Sequence, residues 1–329
     1  MSSEKFFTTK KALITLIAAS LVVIVSLGIR QTFGLFFFDF NADLNISISH
    51  FGFVIGLQLL MWGVFSPIFG FITDRYGGAT AIFIGFLFYL AGLFLFYSGL
   101  NTGYLFTLTI GLLIGIGLGG TAISIPVSVV AKHFPSSNRT IATGIVTCAG
   151  SFGFFVSPLL VRYSLIEIGW EITILYFCFL LGIGLITALF ISTPKTPVGN
   201  NDNNNQTAKE ALIEAFNNKS FIFLTLGFFV CGWHIALVAT HIPTYMMDRG
   251  MPDWTAAMIL ALVGVFNMIG TMGSGYLATK FSKKKVLSAI YLLRGVSLIY
   301  FLYLPPSIFN SVVFGVTFGL LWLSTVPPT

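Results

Sequence analysis

The chain has 329 residues, 56% of them hydrophobic and only 9% charged, with a mean hydropathy of +0.93 and a formal net charge of +6. Soluble domains carry about a quarter charged residues, so too few are present to cover a water-facing surface of this size, and a soluble enzyme is excluded. The 36 Phe and 34 Gly fit a chain solvated by lipid, where Phe faces the acyl chains and Gly allows close helix contacts.

The sequence predicts ten apolar runs long enough to cross a hydrocarbon layer of ~30 Å, near residues 12–38, 50–72, 79–99, 104–131, 140–165, 170–192, 220–245, 255–278, 286–304 and 307–326. The first follows Lys5, Lys10 and Lys11 as a signal peptide would. It stays apolar far beyond a signal core and lacks a small-residue cleavage site, so it is expected to be retained as a helix. Placing the N-terminus in the cytoplasm puts Lys5, Lys10, Lys11, Arg75, Lys132, Arg139, Lys195, Lys209, Lys219, Lys280, Lys283, Lys284 and Lys285 inside, with Arg162 and Arg249 outside. That split of 13 to 2 is the positive-inside pattern of a multi-pass protein of the plasma (inner) membrane. Residues 194–219, with Pro194, Pro197 and the polar tract 200–206, form a cytoplasmic loop dividing six helices (1–193) from four (220–329).

Cys148, Cys178 and Cys231 each lie inside an apolar run with no paired spacing, which argues against a disulfide framework and a zinc site. No cofactor is expected. The basic residues are scattered between apolar runs rather than gathered on one face, so no nucleic-acid partner is expected either. The run Gly115-Ile-Gly117-Leu-Gly119-Gly120 has no strand before it. Gly111, Gly115 and Gly119 are spaced for close helix packing instead.

The two sides of the polar loop repeat each other. Gly70-Phe-Ile-Thr-Asp74-Arg75-Tyr-Gly77-Gly78, after the second run, aligns at an offset of 205 with Gly275-Tyr-Leu-Ala-Thr279-Lys280-Phe-Ser282-Lys283, after the eighth. Asp43 and Asp248 share that offset, and Gly28-Ile-Arg30 falls on Gly232-Trp-His234 at 204. Both units begin inside, as parallel transporter repeats do.

The GFITDRYGG segment (70–78) resembles the G-x-x-x-D-R-x-G signature of the major facilitator superfamily. Segments 131–145, 150–158, 228–250 and 318–329 are similar to its bacterial monocarboxylate-transporter and oxalate/formate-antiporter branch. The resemblance implies an all-α, polytopic transmembrane helical bundle of twelve helices in about 400 residues. This chain stops at Pro327-Pro328-Thr329 inside the tenth run, so ten of the twelve are expected and the chain reads as truncated. The resemblance also implies that Asp74 braces against helix 11, a partner then missing. Where the animal branch carries a charged Asp/Arg pair, helix 8 offers only Asn267.

Arg30 lies 19 residues beyond Lys11 and 9 before Asp39, near the membrane middle, where a charge costs at least ~2.5–3.5 kcal/mol and faces a cavity or partner. Its planar fork suits the carboxylate of an anionic substrate, the alternative being a structural or snorkelling role. His234, the repeat counterpart of Arg30, is placed to bind substrate or carry a proton, with His241 and Tyr245 on nearly the same face toward the outside. The alternative for both histidines is helix packing. Asn267 is balanced between substrate contact and interhelical bonding, Phe33 and Trp322 are expected to shape the pocket, and Arg294 is read as structural. Gly70, Asp74, Arg75 and Gly77 form an expected conformational latch.

These expectations describe a monomeric secondary carrier that moves a small, monocarboxylate-like organic anion by alternating access, with proton coupling, exchange and facilitated diffusion all open. Three competing readings are an inactive or non-transporting carrier remnant, an intramembrane enzyme or haem protein using His234 and His241, and an exporter of neutral or cationic compounds.

Overall fold

The computed structural model describes residues 10–99, 103–192, 214 and 216–325. Lys5, Lys195, Lys209, nearly all of the 194–219 segment and Pro327-Pro328-Thr329 lie outside the described residues. Because hydrocarbon offers no hydrogen-bond partner to the backbone, each apolar run closes its own bonds as a helix. The spans are α1 (Lys10–Leu44), α2 (Ile48–Tyr76), α3 (Gly78–Tyr97), α4 (Gly103–Ala131), α5 and α6 (136–168 and 170–188), α7 (Lys219–Asp248), α8 (Trp254–Lys280), α9 (Lys283–Tyr303) and α10 (Ile308–Leu321). Helices α5 and α6 follow each other without a loop. Gly169, at φ 77°, takes a conformation that only glycine adopts cheaply and turns the chain there. All ten expected runs therefore fall on helix, although α10 ends at Leu321 rather than at 326.

Local signals in the sequence set the helix starts. Side chains of Ser47, Asn218, Asp253, Ser282 and Ser307 accept the first free backbone N–H groups of α2, α7, α8, α9 and α10. At the far end of α2, Gly77 (φ 96°, ψ 154°) ends the helix in a region closed to side chains, and the next helix starts at once against Val129 of α4.

Helices α1–α6 share one core built on phenylalanine, in which Phe40 contacts the rings of Phe51, Phe96, Phe106 and Trp170. The glycine stripe of α4 seats α2. A Cβ on Gly111, Gly115 or Gly119 would meet Val54 and Leu57, Gln58 and Met61, or Phe65 and Phe69, at 2.6–3.4 Å. A second core joins α1, α4 and α5 to α7–α10 through Leu27, Phe154, Val263, Phe318 and Trp322. The repeat is unequally buried: 61% of the apolar window of α1 is covered, against 11% for its counterpart α7.

Among the described residues, two polar contacts join α1–α6 to α7–α10. The Asn267 amide donates to Ser151 Oγ at 2.7 Å near mid-depth, and Arg162 pairs with Asp253 at 3.0 Å at one end. Close backbone approaches lie in the same half of the molecule. The chain at Gly34 packs on Thr240 and Pro243 of α7, and Gly52 of α2 faces the His241 ring.

Gly77→Ala should lower the thermal stability of the detergent-solubilised protein by about 1–3 kcal/mol, because a Cβ is strained at that φ and ψ. Gly70→Ala, whose Cβ would meet no atom within 4 Å, should be near neutral. Thermal unfolding followed by circular dichroism distinguishes the two, and equal effects would contradict the backbone assignment.

Candidate substrate site

Helix α1 is regular from Lys10 to Gln31 and then tightens into a 3-10 turn over Phe33–Phe36 before resuming. Thr32 N–H and Oγ both donate to the Ile29 carbonyl, at 3.1 and 2.8 Å, and Leu35 N–H donates to Thr32. Such a change of helical pitch, toward the C-terminal end of the 12–38 run, is tolerated where the backbone is enclosed by protein.

Arg30 sits immediately before this turn. It is 4% exposed, its Nε and Nη2 have no hydrogen-bond partner, and no carboxylate pairs with it among the described residues. Ser26, one turn earlier on the same face, is tied to α4 through Thr121 at 2.7 Å and accepts a bond from Tyr89 of α3 on its carbonyl at 3.4 Å. Tyr89 is fully buried and interacts electrostatically with the Arg30 guanidinium. The adjacent Gln31 is also fully buried with both amide atoms unpaired, while Gln58 of α2 gives its amide to the Ile110 carbonyl and leaves its oxygen free. A buried cation with no partner carries a desolvation cost that nothing among the described residues offsets.

The second polar centre lies in α7–α10. His234 is half-buried with Nδ1 unpaired, faces Phe318 at 6.3 Å between ring centroids, and interacts electrostatically with Arg294. Arg294, 1% exposed, donates from Nη2 to the Leu321 and Trp322 carbonyls, so it neutralises the C-terminal end of α10. Trp322 is 1% exposed, packs edge-on against Phe154 and Phe318, and leaves its indole N–H unpaired.

The structure separates the remaining expected residues. His241 is exposed and lies against α2 at Gly52, while Tyr245 packs on Phe301 at 5.7 Å with Arg249 over its ring, so neither joins His234. Asn267 is engaged in three bonds within the protein: it donates to Ser151 and accepts from Thr271 Oγ at 3.2 Å and from Leu323 N–H at 2.8 Å. Phe33 is core packing beside Phe36 at 6.4 Å. The helix that the resemblance gives Asp74 as its partner is not among the described residues, and Asp74 pairs elsewhere. Lys132, at the end of α4, reaches it at 2.8 Å, because α2 and α4 run side by side and finish at the same level. That pair is 66% and 39% exposed on its two side chains and contributes less than about 1 kcal/mol, so it positions rather than stabilises. It borders a cavity of about 470 Å³ with Ser66, Thr73 and Ser128, while Arg75 lies over Tyr76 at 5.6 Å and Gly70 lines the same cavity. Tyr89 and Gln31 were missed by sequence reasoning. Tyr89 had a signal, since it stands 205 residues before Arg294, the offset that aligns the two units.

Comparison with known proteins assigns the class. The family model of the Major Facilitator Superfamily matches residues 19–329, and the chain belongs to that family: a multi-pass secondary transporter with an all-α helical bundle, not an enzyme. Among curated relatives, it is 24% identical over 95% of its length to the agnestins efflux protein AgnL12 of Paecilomyces divaricatus and covers 70% of that protein. It is 23% identical over 78% of its length to the hexuronate transporter of Bacillus subtilis (strain 168), of which it covers 62%. A bacterial homologue of the human lysosomal transporter Spinster, solved in an inward-facing, unoccupied conformation, superposes with a TM-score of 0.69 at 18% identity, over 97% of this chain and 74% of that one.

Asn267→Ala leaves Leu323 N–H without its acceptor and unties α8 from α5. Interhelical hydrogen bonds in membranes average ~0.6 kcal/mol and reach ~1.7, so a loss of about 1–2 kcal/mol is expected in a denaturant titration of the solubilised protein. Substrate affinity should change by less than about 3-fold; a larger change would place Asn267 in the binding pocket.

Proposed function

We propose that the chain carries a small organic anion across the plasma (inner) membrane by alternating access, with Arg30 as the group that binds the substrate's carboxylate. The observation that carries this reading is the buried Arg30 guanidinium, next to Gln31 and near Tyr89, with two of its nitrogens unpaired and no acidic partner among the described residues. Desolvation makes a bidentate guanidinium–carboxylate pair strong at such a site. The hexuronate transporter among its relatives is named for an anionic sugar acid, which supports the same chemistry.

In this reading the N-terminus is cytoplasmic, and residues 1–193 and 220–329 are two units, linked by the 194–219 loop, that rock about a midplane site in a monomer. The contacts between the units lie from mid-depth to the Arg162–Asp253 end, which supports an arrangement closed outside and open inside. Asp74, Arg75, Gly70 and Gly77 then form the inner corner that rearranges with Lys132 as the units tilt. On the opposite unit, His234 supplies an unpaired ring nitrogen and Trp322 an unpaired indole N–H. His241 and Tyr245 lie toward the outer end of α7, away from His234, and Phe33 supports Arg30 only by packing the core of the first unit.

Charge-assisted hydrogen bonds contribute ~1.5–3 kcal/mol, so Arg30→Gln should weaken carboxylate uptake into proteoliposomes roughly 10- to 100-fold. Arg30→Lys should keep part of it, having charge without the fork. The Gln variant should also match or exceed the parent in thermal stability, because it removes a buried unpaired cation. Full uptake by Arg30→Gln would refute the assignment.

A further inference from the structure

The inner corner between α8 and α9 differs from its repeat counterpart in charge and in packing. Between Tyr276 and Arg294 the chain carries Lys280, Lys283, Lys284 and Lys285 and no acidic residue, whereas the matching corner balances Asp74 against Arg75. All four lysines are exposed, and none forms an ion pair among the described residues. In α2, Phe69 fills the junction with α3 and α4, lying 2% exposed against Gly119 and Gly120. The residue 205 positions on is Ser274, a much smaller side chain, and next to it Gly273 has no atom within 4 Å of where a Cβ would stand.

The result is an apolar groove of about 480 Å³ between α8, α9 and the end of α10, with Gly273, Ser274, Leu277 and Phe281 on one wall and Lys285 at its mouth. It runs along α9 to Leu293, eight residues or ~12 Å from Lys285, close to the ~15 Å depth of one lipid leaflet. A second apolar groove of about 350 Å³ continues from Leu293, Leu320 and Leu321 toward Tyr300.

We propose that this groove is a binding site for an anionic phospholipid of the inner leaflet, one acyl chain lying along α9 and the phosphate held by the Lys280–Lys285 cluster. The lysines stand where headgroups lie, the groove is apolar and close to one leaflet deep, and no acidic residue pairs with these cations among the described residues. The site uses neither Arg30 nor His234 and so does not depend on the anion reading, although it shares the end of α10 with Arg294; its place in the inner leaflet rests on the orientation proposed above.

Native mass spectrometry of the purified protein, equilibrated with phosphatidylglycerol or with phosphatidylcholine of the same chains, tests it. Each lysine near the surface contributes roughly 5-fold to anionic lipid binding, so phosphatidylglycerol should be retained at least about 10-fold better. Replacing Lys283, Lys284 and Lys285 together by Gln should erase that preference. Gly273→Phe, projecting into open space, should reduce the bound lipid several-fold, and Gly273→Ala, too small to fill the groove, should retain it. Equal retention of the two lipids by the parent protein, or unchanged retention by Gly273→Phe, would overturn the proposal. So would a dimer that Gly273→Phe dissociates, which would make the occupant a second copy of the chain.

Discussion

In hydrocarbon every donor and acceptor must find its partner inside the protein, and each group that does not costs several kcal/mol. That constraint makes the chain helical and governs its scattered hydroxyls. Thr73, Thr109, Thr121, Thr173 and Thr187 each return their Oγ–H to the carbonyl four residues back, which lets a polar side chain sit in an apolar run at little cost. Against this background of paired hydroxyls, the buried groups left unpaired stand out. Arg30 and Gln31 are adjacent in the chain, while Trp322, Arg294 and His234 gather around the end of α10. A carrier needs such groups, because a site already satisfied by the protein has nothing to offer a substrate and no reason to release one.

The duplicated architecture places these groups in a related but unequal way. In the first unit the cation is on α1, with a buried phenol on α3 that donates to the Ser26 carbonyl of α1; in the second an imidazole is on α7 and the cation on α9, with Tyr89 and Arg294 separated by the repeat offset itself. The positive charge has moved from the central helix to the neighbouring one, and there it is half spent on the carbonyls of α10. Arg30 is thus the freer of the two guanidiniums, which is why the anion is assigned to it. The same inequality shows in packing: α1 is enclosed by α5 and α6, while α7 keeps Phe223, Phe229 and Trp233 on an exposed face.

Most of the fold was legible in the sequence, because apolar length is a local property. The ten runs fall on helices, and the turn between α5 and α6 coincides with Gly169. The glycine stripe of α4 packs on α2 as its spacing demands. The site was legible only in part. That Arg30 would be buried inside the protein was readable from the cost of a charge in an apolar run, but the fate of Asn267, His241 and Tyr245 depended on which neighbours lie across each helix, and helical spacing does not encode this. Asn267 bonds to Ser151 and to Leu323, 116 and 56 residues away. The pairing of Asp74 with Lys132 was hidden for the same reason, since it depends on α2 and α4 ending side by side.

The central claim is that a buried, unpaired guanidinium selects for negative charge. The most direct measurement is counterflow in proteoliposomes loaded with one compound and challenged in turn with monocarboxylates, sugar acids and the corresponding neutral sugars and alcohols. The account predicts exchange of the anions and at least a 10-fold slower movement of their neutral counterparts, since a neutral hydroxyl cannot repay the desolvated charge. Equal exchange of neutral and anionic partners would contradict it and reduce Arg30 to a structural residue.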